Sequence, residues 1–480
     1  MIFRSARDYE ASGFRPRVCI LGSGPAGITI ARTLAKMGVP VTVLEAGSDE
    51  ITAESQAFYE GETIGDTYFP LDVARLRYLG GCSNHWAGWC RVLDASDFLP
   101  RAWIPGSGWP IRRADIDPFL GEVHDILDLP PFADDREITE DLHWIQLIKS
   151  PAVRFGEKYR VDLQRDPRIA LVLNTYASEL LGDGTAVTGA RVVSQGEPAA
   201  DIEAVSFVLC TGGLENSRLL LWSHERSGGA VVPRAKALGR YWMEHPQFIA
   251  ASVVMNDVQT IEFDAAGEAF FSPSPQAMER LSIGNFGARL IPMPYQGLKK
   301  RLADLACVAP ATAEWLARRA SVHLNCGAYV SMGWEQAPDA ENRVALSAGE
   351  RDAAGVPRIE LHWKKTEIDH RTLLEGLRLF GRSIAAAEIG RLRIDDWVEG
   401  RAYPDDGELA GYHHMGGTRM GTDPATSVVD ADCRVHGMRN LFVGGSSVFP
   451  TSGEANPTTT IVALALRLGY HLAAMPDHTA

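Results

Sequence analysis

Near the start of the chain, apolar positions switch from a short continuous run to a helical spacing and back, which predicts a βαβ unit. Val18, Ile20 and Leu21 form a β-branched and aliphatic run typical of a buried parallel strand. From 25 to about 37, apolar residues recur at the spacing of a helix that packs one face on a sheet. A second apolar run, 39–44, predicts the next strand.

A glycine motif lies between this strand and this helix. Gly22, Gly24 and Gly27 have the G-x-G-x-x-G spacing. In this motif the first glycine allows a tight turn, the second lets a pyrophosphate approach the backbone, and the third lets the helix pack closely on the strand. Glu45 ends the second strand, 18 residues after Gly27, where a carboxylate accepts hydrogen bonds from ribose hydroxyls. The unit therefore predicts a bound adenine dinucleotide, with a purely structural βαβ unit as the alternative. Alone, it does not separate FAD from NAD.

A second glycine turn follows a later group of predicted strands. Residues 169–209 contain β-branched and alternating runs, which predict a small meander and then a strand. That strand ends just before Gly212 and Gly213, and a helix is predicted immediately after them. Such a turn is typical of flavoproteins with two dinucleotide-binding motifs, although by itself it is also a plain βα connection.

Residues 245–400 differ in character, because longer alternating runs replace the strand–helix pattern. These runs predict a large antiparallel sheet, and we expect 342–363 to be a hairpin that ends it. The stretch 299–320 is predicted to be a packing or lid helix rather than a membrane-surface helix. His245 and His323 lie in apolar surroundings, so we predict that both are structural histidines.

Together these elements predict an α/β fold: a Rossmann-like dinucleotide-binding domain and a second α+β substrate domain built on the large antiparallel sheet. We assign 1–244 and 402–480 to the first domain and 245–401 to the second. In the returning segment, a last strand at 441–443 leads to a turn, and a helix begins at Asn456.

Composition narrows the class of protein. With 480 residues, 45% of them hydrophobic, the chain can bury the cores of two or three domains or lobes. A formal charge of −14 argues against a nucleic-acid partner. The opening residues have no apolar signal core and no run is long enough to span a membrane, so we expect a cytoplasmic protein. Seven scattered cysteines without a C-x-x-C pair indicate free thiols and no metal site.

The stretch 77–88 has neither helical nor strand periodicity, and its glycines flank a polar and aromatic centre, so it runs irregularly near something it binds. With Gly80, Gly81, Ser83 and Trp86, it resembles the G-G-x-S-x-x-W segment of the glucose-methanol-choline (GMC) oxidoreductases, FAD-dependent enzymes that oxidise alcohols. The closer resemblance is to the sugar-oxidising branch, which includes pyranose oxidase and the flavin subunits of fructose and gluconate dehydrogenases.

This resemblance implies FAD as the cofactor and a flavin lying along Gly81, Ser83, Asn84 and His85. His85 stands where some members of the branch attach the flavin covalently through a histidine. Non-covalent relatives share this environment, so a covalent bond and a non-covalent contact both stay open. The other cofactor-contacting residues implied are Gly212, Gly445, Asn456 and Thr458.

The carboxyl-terminal stretch carries the most specific resemblance. His413, followed by Gly416, aligns with the family's catalytic histidine, and His414 falls at a non-catalytic position. Gly417 departs from the family pattern, because many members have threonine there. Asn456 aligns with the second catalytic position. A neutral imidazole suits a base that takes a hydroxyl proton, and an asparagine amide donates a hydrogen bond to the developing alkoxide.

The sequence therefore predicts an FAD-dependent oxidoreductase that converts an alcohol group of a sugar, glycoside or aminocyclitol to a carbonyl. One alternative is a non-redox lyase on the same FAD scaffold. Another is a dehydrogenase subunit that passes electrons to a partner. The sequence leaves open whether dioxygen, a quinone or another compound accepts the electrons, and whether the protein forms a homo-oligomer.

Overall fold

The computed structural model describes residues 1–194, 196–255, 268–292, 327–409 and 411–476, with isolated positions between 305 and 319. The predicted helix at 299–320 and the predicted structural histidine His323 lie outside the described residues, apart from those isolated positions. Within the described part, no helix is both long and apolar enough to cross a membrane.

A six-stranded parallel sheet forms the centre of the first domain. Its strands, in spatial order, are Ile2–Phe3, Ile169–Val172, Val41–Leu44, Val18–Leu21, Ser206–Leu209 and Leu441–Val443. All but the first are buried at every position. Such continuous burial is expected when both faces of a parallel sheet are covered, and it explains why the strands are uninterrupted apolar runs in the sequence.

Two helices of the parallel-sheet domain pack against each other. They are Pro25–Lys36, from the first glycine motif, and Thr458–Ala474, from the end of the chain. Gly469 permits the close contact, because a Cβ added there would lie 2.9 Å from the Cβ of Thr33. The carboxyl-terminal segment is thus fixed to the first βαβ unit, far from it in sequence.

A seven-stranded antiparallel sheet forms the second layer, as predicted. Its strands, in spatial order, are Gly390–Ile394, Gln247–Met255, Gly327–Trp334, Phe286–Pro292, Ala269–Pro273, Leu142–Ile145 and Arg136–Thr139. The helix Glu367–Ala386 covers one face, and its Leu377 and Phe380 share a core with Phe286 and Met332 of the sheet. The parallel sheet and this antiparallel sheet confirm the predicted fold class.

The predicted hairpin forms, but the expectation that it ends the large sheet is wrong. Arg343–Arg351 and Pro357–Trp363 pair with each other, and the second strand pairs with Gly61–Gly65 in a separate three-stranded sheet. Apolar side chains such as Leu361 and Trp363 pack in their own small core rather than in that of the large sheet.

The domain boundaries stay a prediction. Two strands of the large sheet, Arg136–Thr139 and Leu142–Ile145, come from a part of the chain that we assigned to the first domain. The remaining strands are Thr175–Gly182, Val187–Ser194, Ala200–Ile202, Trp89–Cys90 and Ile148–Lys149. The remaining α-helices are Ala6–Ala11, Ala53–Gln56, Leu120–Leu127, Phe155–Lys158, Arg160–Arg165, Glu215–Arg226, Pro275–Leu281 and Asp396–Gly400.

Candidate active site

A cavity of about 610 Å³ lies at the carboxyl ends of the central parallel strands. The segments that follow four of these strands line it, because the carboxyl ends of parallel strands meet at one edge of a sheet. Most of the predicted site residues line this cavity together: Gly22, Gly24, Glu45, Gly81, Ser83, His85, Gly212, His413, Gly445, Asn456 and Thr458. Two of them, Gly27 and Asn84, do not.

Three glycines leave open space along the cavity wall. A Cβ added at Gly24, Gly212 or Gly445 would meet no described atom within 4 Å. Gly212 and Gly445 also have φ near +98° and +96°, a left-handed conformation that favours glycine. Each follows a different strand of the parallel sheet, so three turns expose bare backbone toward one ligand-sized space, as a dinucleotide requires.

Two other glycines are needed for packing instead. A Cβ on Gly27 would lie 2.0 Å from the carbonyl oxygen of Gly22. A Cβ on Gly22 would lie 2.3 Å from the carbonyl oxygen of Cys210, on the neighbouring strand. The contact at Gly27 is the close helix–strand packing that the spacing predicts, and it explains why Gly27 does not itself face the cavity.

The ends of two helices also face the cavity. Pro25–Lys36 begins after Gly24, and Thr458–Ala474 begins after Pro457; neither N-terminus has a side-chain capping hydrogen bond. The first-turn N–H groups of a helix have no partner within the helix, and the helix dipole favours negative charge there. Both N-termini are therefore suited to phosphate or flavin oxygen atoms.

Glu45 lies where a ribose would be expected. Its Oε1 accepts a hydrogen bond from the Gly47 amide at 2.8 Å, and its Oε2 accepts from the Ser23 amide at 3.1 Å and from the Ser23 hydroxyl. The side chain is buried at the edge of the sheet and lines the cavity. A carboxylate held in this way can accept a further hydrogen bond from a ribose hydroxyl.

The segment expected beside the flavin is a tight turn. The Ser83 hydroxyl donates to the Gly80 carbonyl at 2.7 Å and accepts from the Phe155 amide at 3.1 Å. Asn84 donates from Nδ2 to the Leu79 carbonyl at 3.0 Å, so it stabilises the turn rather than facing the cavity. His85 does face the cavity, and its ring stacks on that of Tyr412 with centroids 5.8 Å apart.

His413 contacts a second histidine. Its Nδ1 lies 2.9 Å from Nδ1 of His245, and the two rings are nearly perpendicular, at 88°. The Glu244 carboxylate accepts from both backbones through Oε1, at 2.7 Å from the His413 amide and 2.8 Å from the His245 amide. His245, which we predicted to be a structural histidine, thus lines the cavity and contacts the predicted base, and its role stays a prediction.

Burial keeps these histidines neutral. The pKa of His413 lies well below its usual range because of burial and the neighbouring His245 and His414. Burial likewise lowers the pKa of His245 to about 4 and that of His414 to about 3, whereas it raises the pKa of Glu244 to about 7. A neutral imidazole can accept a proton near neutral pH, as a catalytic base must.

His414 makes different contacts from its neighbour. Its Nε2 lies 2.9 Å from the Tyr68 hydroxyl, and Tyr68 also donates to Oε2 of Glu244. The ring is buried against Trp242, with centroids 5.6 Å apart. His414 also lines the cavity, so the expectation that it does not act on the substrate stays a prediction.

Sequence reasoning missed two further groups at the end of the cavity that the large sheet covers. Glu454 accepts from Nε of Arg91 at 2.9 Å, and burial raises its pKa to about 8. Arg289, from a strand of the large sheet, pairs with Glu268. No sequence pattern predicts the contact between His245 and His413, because these residues are 168 positions apart. The adjacent polar residues Glu244 and His245, just before a strand, could still have been considered as candidate site residues.

Comparison with known proteins shows what this chain is similar to. Residues 338–465 match the GMC oxidoreductase family model. A C-glycoside 3-oxidase from Microbacterium trichothecenolyticum is 29% identical in an alignment that covers 98% of this chain and 98% of that protein. A 2-methyl-1,2-propanediol dehydrogenase from Mycolicibacterium austroafricanum is 24% identical in an alignment that covers 95% of this chain and 94% of that protein. The structure of formate oxidase from Aspergillus oryzae, with 16% identity, superposes with a TM-score of 0.59 over 96% of this chain and 98% of its own.

The fold and the cavity define a dinucleotide-binding oxidoreductase. With these comparisons, residues 338–465 are of the GMC oxidoreductase type, and the chain is an FAD-dependent oxidoreductase that acts on an alcohol or a sugar. The open glycine turns, the two helix N-termini and Glu45 fit FAD, which supplies the hydride acceptor when bound. The described residues contain no cluster of His, Cys, Asp and Glu suited to a metal ion.

Proposed function

We propose that the enzyme oxidises a hydroxyl group of a sugar, glycoside or aminocyclitol to a carbonyl, with His413 as the base. The observation that carries this proposal is the shared cavity: His413 and Asn456 line the same space as the glycine turns that fit FAD. Oxidation removes a hydroxyl proton and a hydride from one carbon, so a base and the hydride acceptor must flank the substrate. The C-glycoside 3-oxidase relative supports this substrate class.

The proposed roles follow from side-chain chemistry. His413 is neutral, so it takes the hydroxyl proton. Asn456 does not titrate, and its amide donates a hydrogen bond to the oxygen as negative charge develops there. The preorganised donor and the base together fix the hydroxyl oxygen and direct the C–H bond toward the flavin.

The lining of the substrate end supports a polyhydroxylated ligand. Gln247, Arg289 and Glu454 provide hydrogen-bonding groups, and Trp89 and Phe270 provide aromatic surface. Hydroxyl groups both donate and accept, so amide, guanidinium and carboxyl groups in one cavity can pair with several of them. Aromatic rings pack on the apolar C–H faces of a sugar ring.

Anaerobic mixing of the holoenzyme with a panel of sugars, glycosides, aminocyclitols and small diols tests the proposal. Loss of the oxidised flavin absorbance with a polyhydroxylated compound is the expected result. A compound that is consumed while the flavin stays oxidised would favour the lyase alternative and overturn the proposal. Admission of air then separates the acceptors: rapid return of the absorbance indicates an oxidase, and return only with a quinone or protein acceptor indicates a dehydrogenase.

We infer that His85 is the residue that would carry a covalent flavin. Its position in the cavity, exposed and beside Tyr412, supports a direct contact with the flavin. Partial burial and the nearby Arg154 lower the pKa of His85, so the ring has a free nitrogen. Yellow colour that stays with acid-precipitated protein, and is lost in His85→Ala, supports the bond. Complete release of colour from the wild type leaves His85 as a non-covalent neighbour.

We also infer that the enzyme works in the cytoplasm, with free thiols. The cysteines Cys19, Cys82, Cys90, Cys210 and Cys433 form no disulfide with one another, which supports a reducing compartment. Thiol titration of the protein purified without reductant tests this inference, and seven reactive thiols in denaturant are expected from the composition.

A further inference from the structure

The contact between His245 and His413 constrains where their protons lie. The two Nδ1 atoms are 2.9 Å apart, so one nitrogen donates and the other accepts. A neutral imidazole carries one proton, on either Nδ1 or Nε2. If Nδ1 of His413 donates, its Nε2 is an unprotonated acceptor. If Nδ1 of His245 donates, Nε2 of His413 carries the proton and is no longer a base.

The proposed base role selects the first arrangement. A base at Nε2 of His413 must be unprotonated, so the single proton of that neutral ring lies on Nδ1 and faces Nδ1 of His245. Nδ1 of His245 then accepts, and the proton of its own neutral ring lies on Nε2, which is buried and has no hydrogen-bond partner among the described residues.

Other charged and titratable groups lie around this pair. Glu244 bonds the two backbone amides and the Tyr68 hydroxyl, and Glu335 and His414 lie near the rings. Because Glu244 accepts from the backbone amides of residues 245 and 413, these two hydrogen bonds can also form in variants of His245. A substitution of the His245 side chain therefore removes the contact between the rings and keeps the backbone hydrogen bonds to Glu244.

We infer that His245 is a positioning residue that keeps His413 in the tautomer with a free Nε2. In the reaction, the hydroxyl proton moves to Nε2 of His413, and the resulting imidazolium donates from Nδ1 to the neutral His245. His245 therefore supports both the correct tautomer before the transfer and the cation after it. This inference rests on the proposed function, because it assigns His413 the role of base.

Two variants of His245 distinguish a role as a hydrogen-bond acceptor from a role in packing. His245→Asn keeps an acceptor oxygen near the place of Nδ1, whereas His245→Leu keeps volume without an acceptor. We expect His245→Leu to reduce the rate constant of flavin reduction by roughly 10- to 100-fold, the effect of one hydrogen bond to a charged group. We expect the rate constant of flavin reduction in His245→Asn to stay within about threefold of the wild-type value, which corresponds to less than about 1 kcal/mol of activation free energy.

Stopped-flow reduction at several substrate concentrations gives both the rate constant and the substrate affinity. The inference requires the rate constant to fall in His245→Leu with nearly unchanged affinity and FAD content. Equal losses in both variants would assign His245 a packing role and overturn it. His436→Asn is a matched control, because His436 bonds Ser427 outside the cavity, and we expect its replacement to leave flavin reduction unchanged.

A second measurement needs no substrate. In the ¹⁵N-histidine-labelled holoenzyme, nitrogen chemical shifts distinguish protonated from unprotonated ring nitrogens, and comparison with His413→Gln assigns the signals of His413. We expect a protonated Nδ1 and an unprotonated Nε2. A protonated Nε2 would overturn the inference even where alcohols bleach the flavin. If no alcohol bleaches it, the proposed function fails, and the spectrum still decides the tautomer.

Discussion

At His413, the imidazole is neutral because it is buried beside two other histidines. Its backbone amide donates to Glu244 and its Nδ1 contacts His245, so under the proposed function Nε2 is the atom that takes the hydroxyl proton. The preceding residue, Tyr412, has φ of 53°, a left-handed conformation that is uncommon for a residue with a side chain. This turn allows His413 and His414 to make different contacts from adjacent positions.

The two adjacent histidines should respond differently to substitution. We expect His413→Ala to slow flavin reduction by about 10²-fold or more, the scale of a positioned base, without loss of FAD. His414→Ala removes a hydrogen bond to Tyr68 and should leave the rate much closer to that of the wild type. Asn456→Ala should slow reduction by as much as His413→Ala or less. Stopped-flow absorbance checks the order, and a larger loss in His414→Ala would contradict it.

The low pKa of His413 predicts an unusual pH profile for the reduction step. The active form is unprotonated, and a pKa below the ordinary value of about 6.5 extends this form to more acidic solutions. The rate constant of flavin reduction should therefore stay level from about pH 8 to below 6.5 and fall only in more acidic solution. A profile that falls with a midpoint at or above 6.5 would show that the base is an ordinary, solvated histidine.

The sequence could indicate His413 and the glycines as candidate site residues because their signals are local. Gly22, Gly24 and Gly27 are defined by their spacing within one turn, and His413 is defined by the motif around it. The partner His245 could not be predicted in this way, since the contact joins positions 168 residues apart. The Asn84 side chain turns to the Leu79 carbonyl, an orientation that spacing alone does not show, and its predicted contact with the cofactor stays a prediction.

At the level of the elements, substitutions at the first glycine turn can affect folding and cofactor binding separately. Gly24 precedes the helix Pro25–Lys36 at the position where serine is a preferred cap, and an added Cβ meets no described atom within 4 Å. Gly24→Ser should therefore leave the stability of the apoprotein nearly unchanged and weaken FAD binding, because the new side chain fills the ligand space. Flavin absorbance of the purified protein and denaturant unfolding of the apoprotein check the two effects.

Gly27→Ser is the matched comparison in the same helix. Its Cβ would lie 2.0 Å from the Gly22 carbonyl oxygen, so the helix must move from the strand. Such overpacking costs about 1–3 kcal/mol of unfolding free energy. If Gly24→Ser destabilised the apoprotein as strongly as Gly27→Ser and bound FAD normally, the assignment of the open space to the cofactor would be wrong.

A buried ion pair joins the large sheet to the loop that precedes Asn456. Glu335 is paired with Arg101 at 2.6 Å and also accepts from the Asn285 and Gly453 amides. The side chains of the pair are 0% and 5% exposed. Arg101→Met should cost about 3–5 kcal/mol, because it leaves a buried carboxylate without its partner.

An exposed arginine gives the control for this prediction. Arg378 pairs with Glu375 and Glu399 with 42% of its side chain exposed, and Arg378→Met should cost less than about 1 kcal/mol. Denaturant unfolding of both variants measures the difference. Similar small losses of unfolding free energy in the two variants would mean that the buried pair does not stabilise the contact between the large sheet and the loop.

Strand Gly61–Gly65 shows why one element was missed. Its sequence, GETIG, has a single large apolar residue, and most of its positions are exposed, so no alternating pattern marks it. It becomes a strand through backbone pairing with Pro357–Trp363, nearly 300 residues later. By contrast, Val18–Leu21 is marked by its own apolar side chains, because both faces of its sheet are covered.

For the whole molecule, the sequence predicted both sheets but not how the chain is divided between them. The parallel sheet follows from apolar runs and glycine turns, and the antiparallel sheet follows from longer alternating runs. The contribution of 136–145 to the large sheet was not predicted, since it pairs with Ala269–Pro273 across more than 100 residues. Local patterns specify an element, whereas its partner strand depends on contacts that form only in the folded chain.

The cavity lies where these two parts of the molecule meet. The parallel sheet supplies the glycine turns and Glu45, the large sheet supplies Gln247, Phe270 and Arg289, and the carboxyl-terminal segment adds His413 and Asn456. This arrangement sets a cofactor site beside a separate substrate end. The central claim is that one hydroxyl group is oxidised there for each flavin reduced.

A single-turnover experiment tests this claim most directly. The holoenzyme is mixed anaerobically with the best polyhydroxylated substrate, and flavin absorbance and carbonyl product are measured in the same sample. We expect one carbonyl formed per flavin reduced, with both processes slowed about 10²-fold or more in His413→Ala. Product that forms while the flavin stays oxidised, or reduction that proceeds at the wild-type rate without His413, would contradict it.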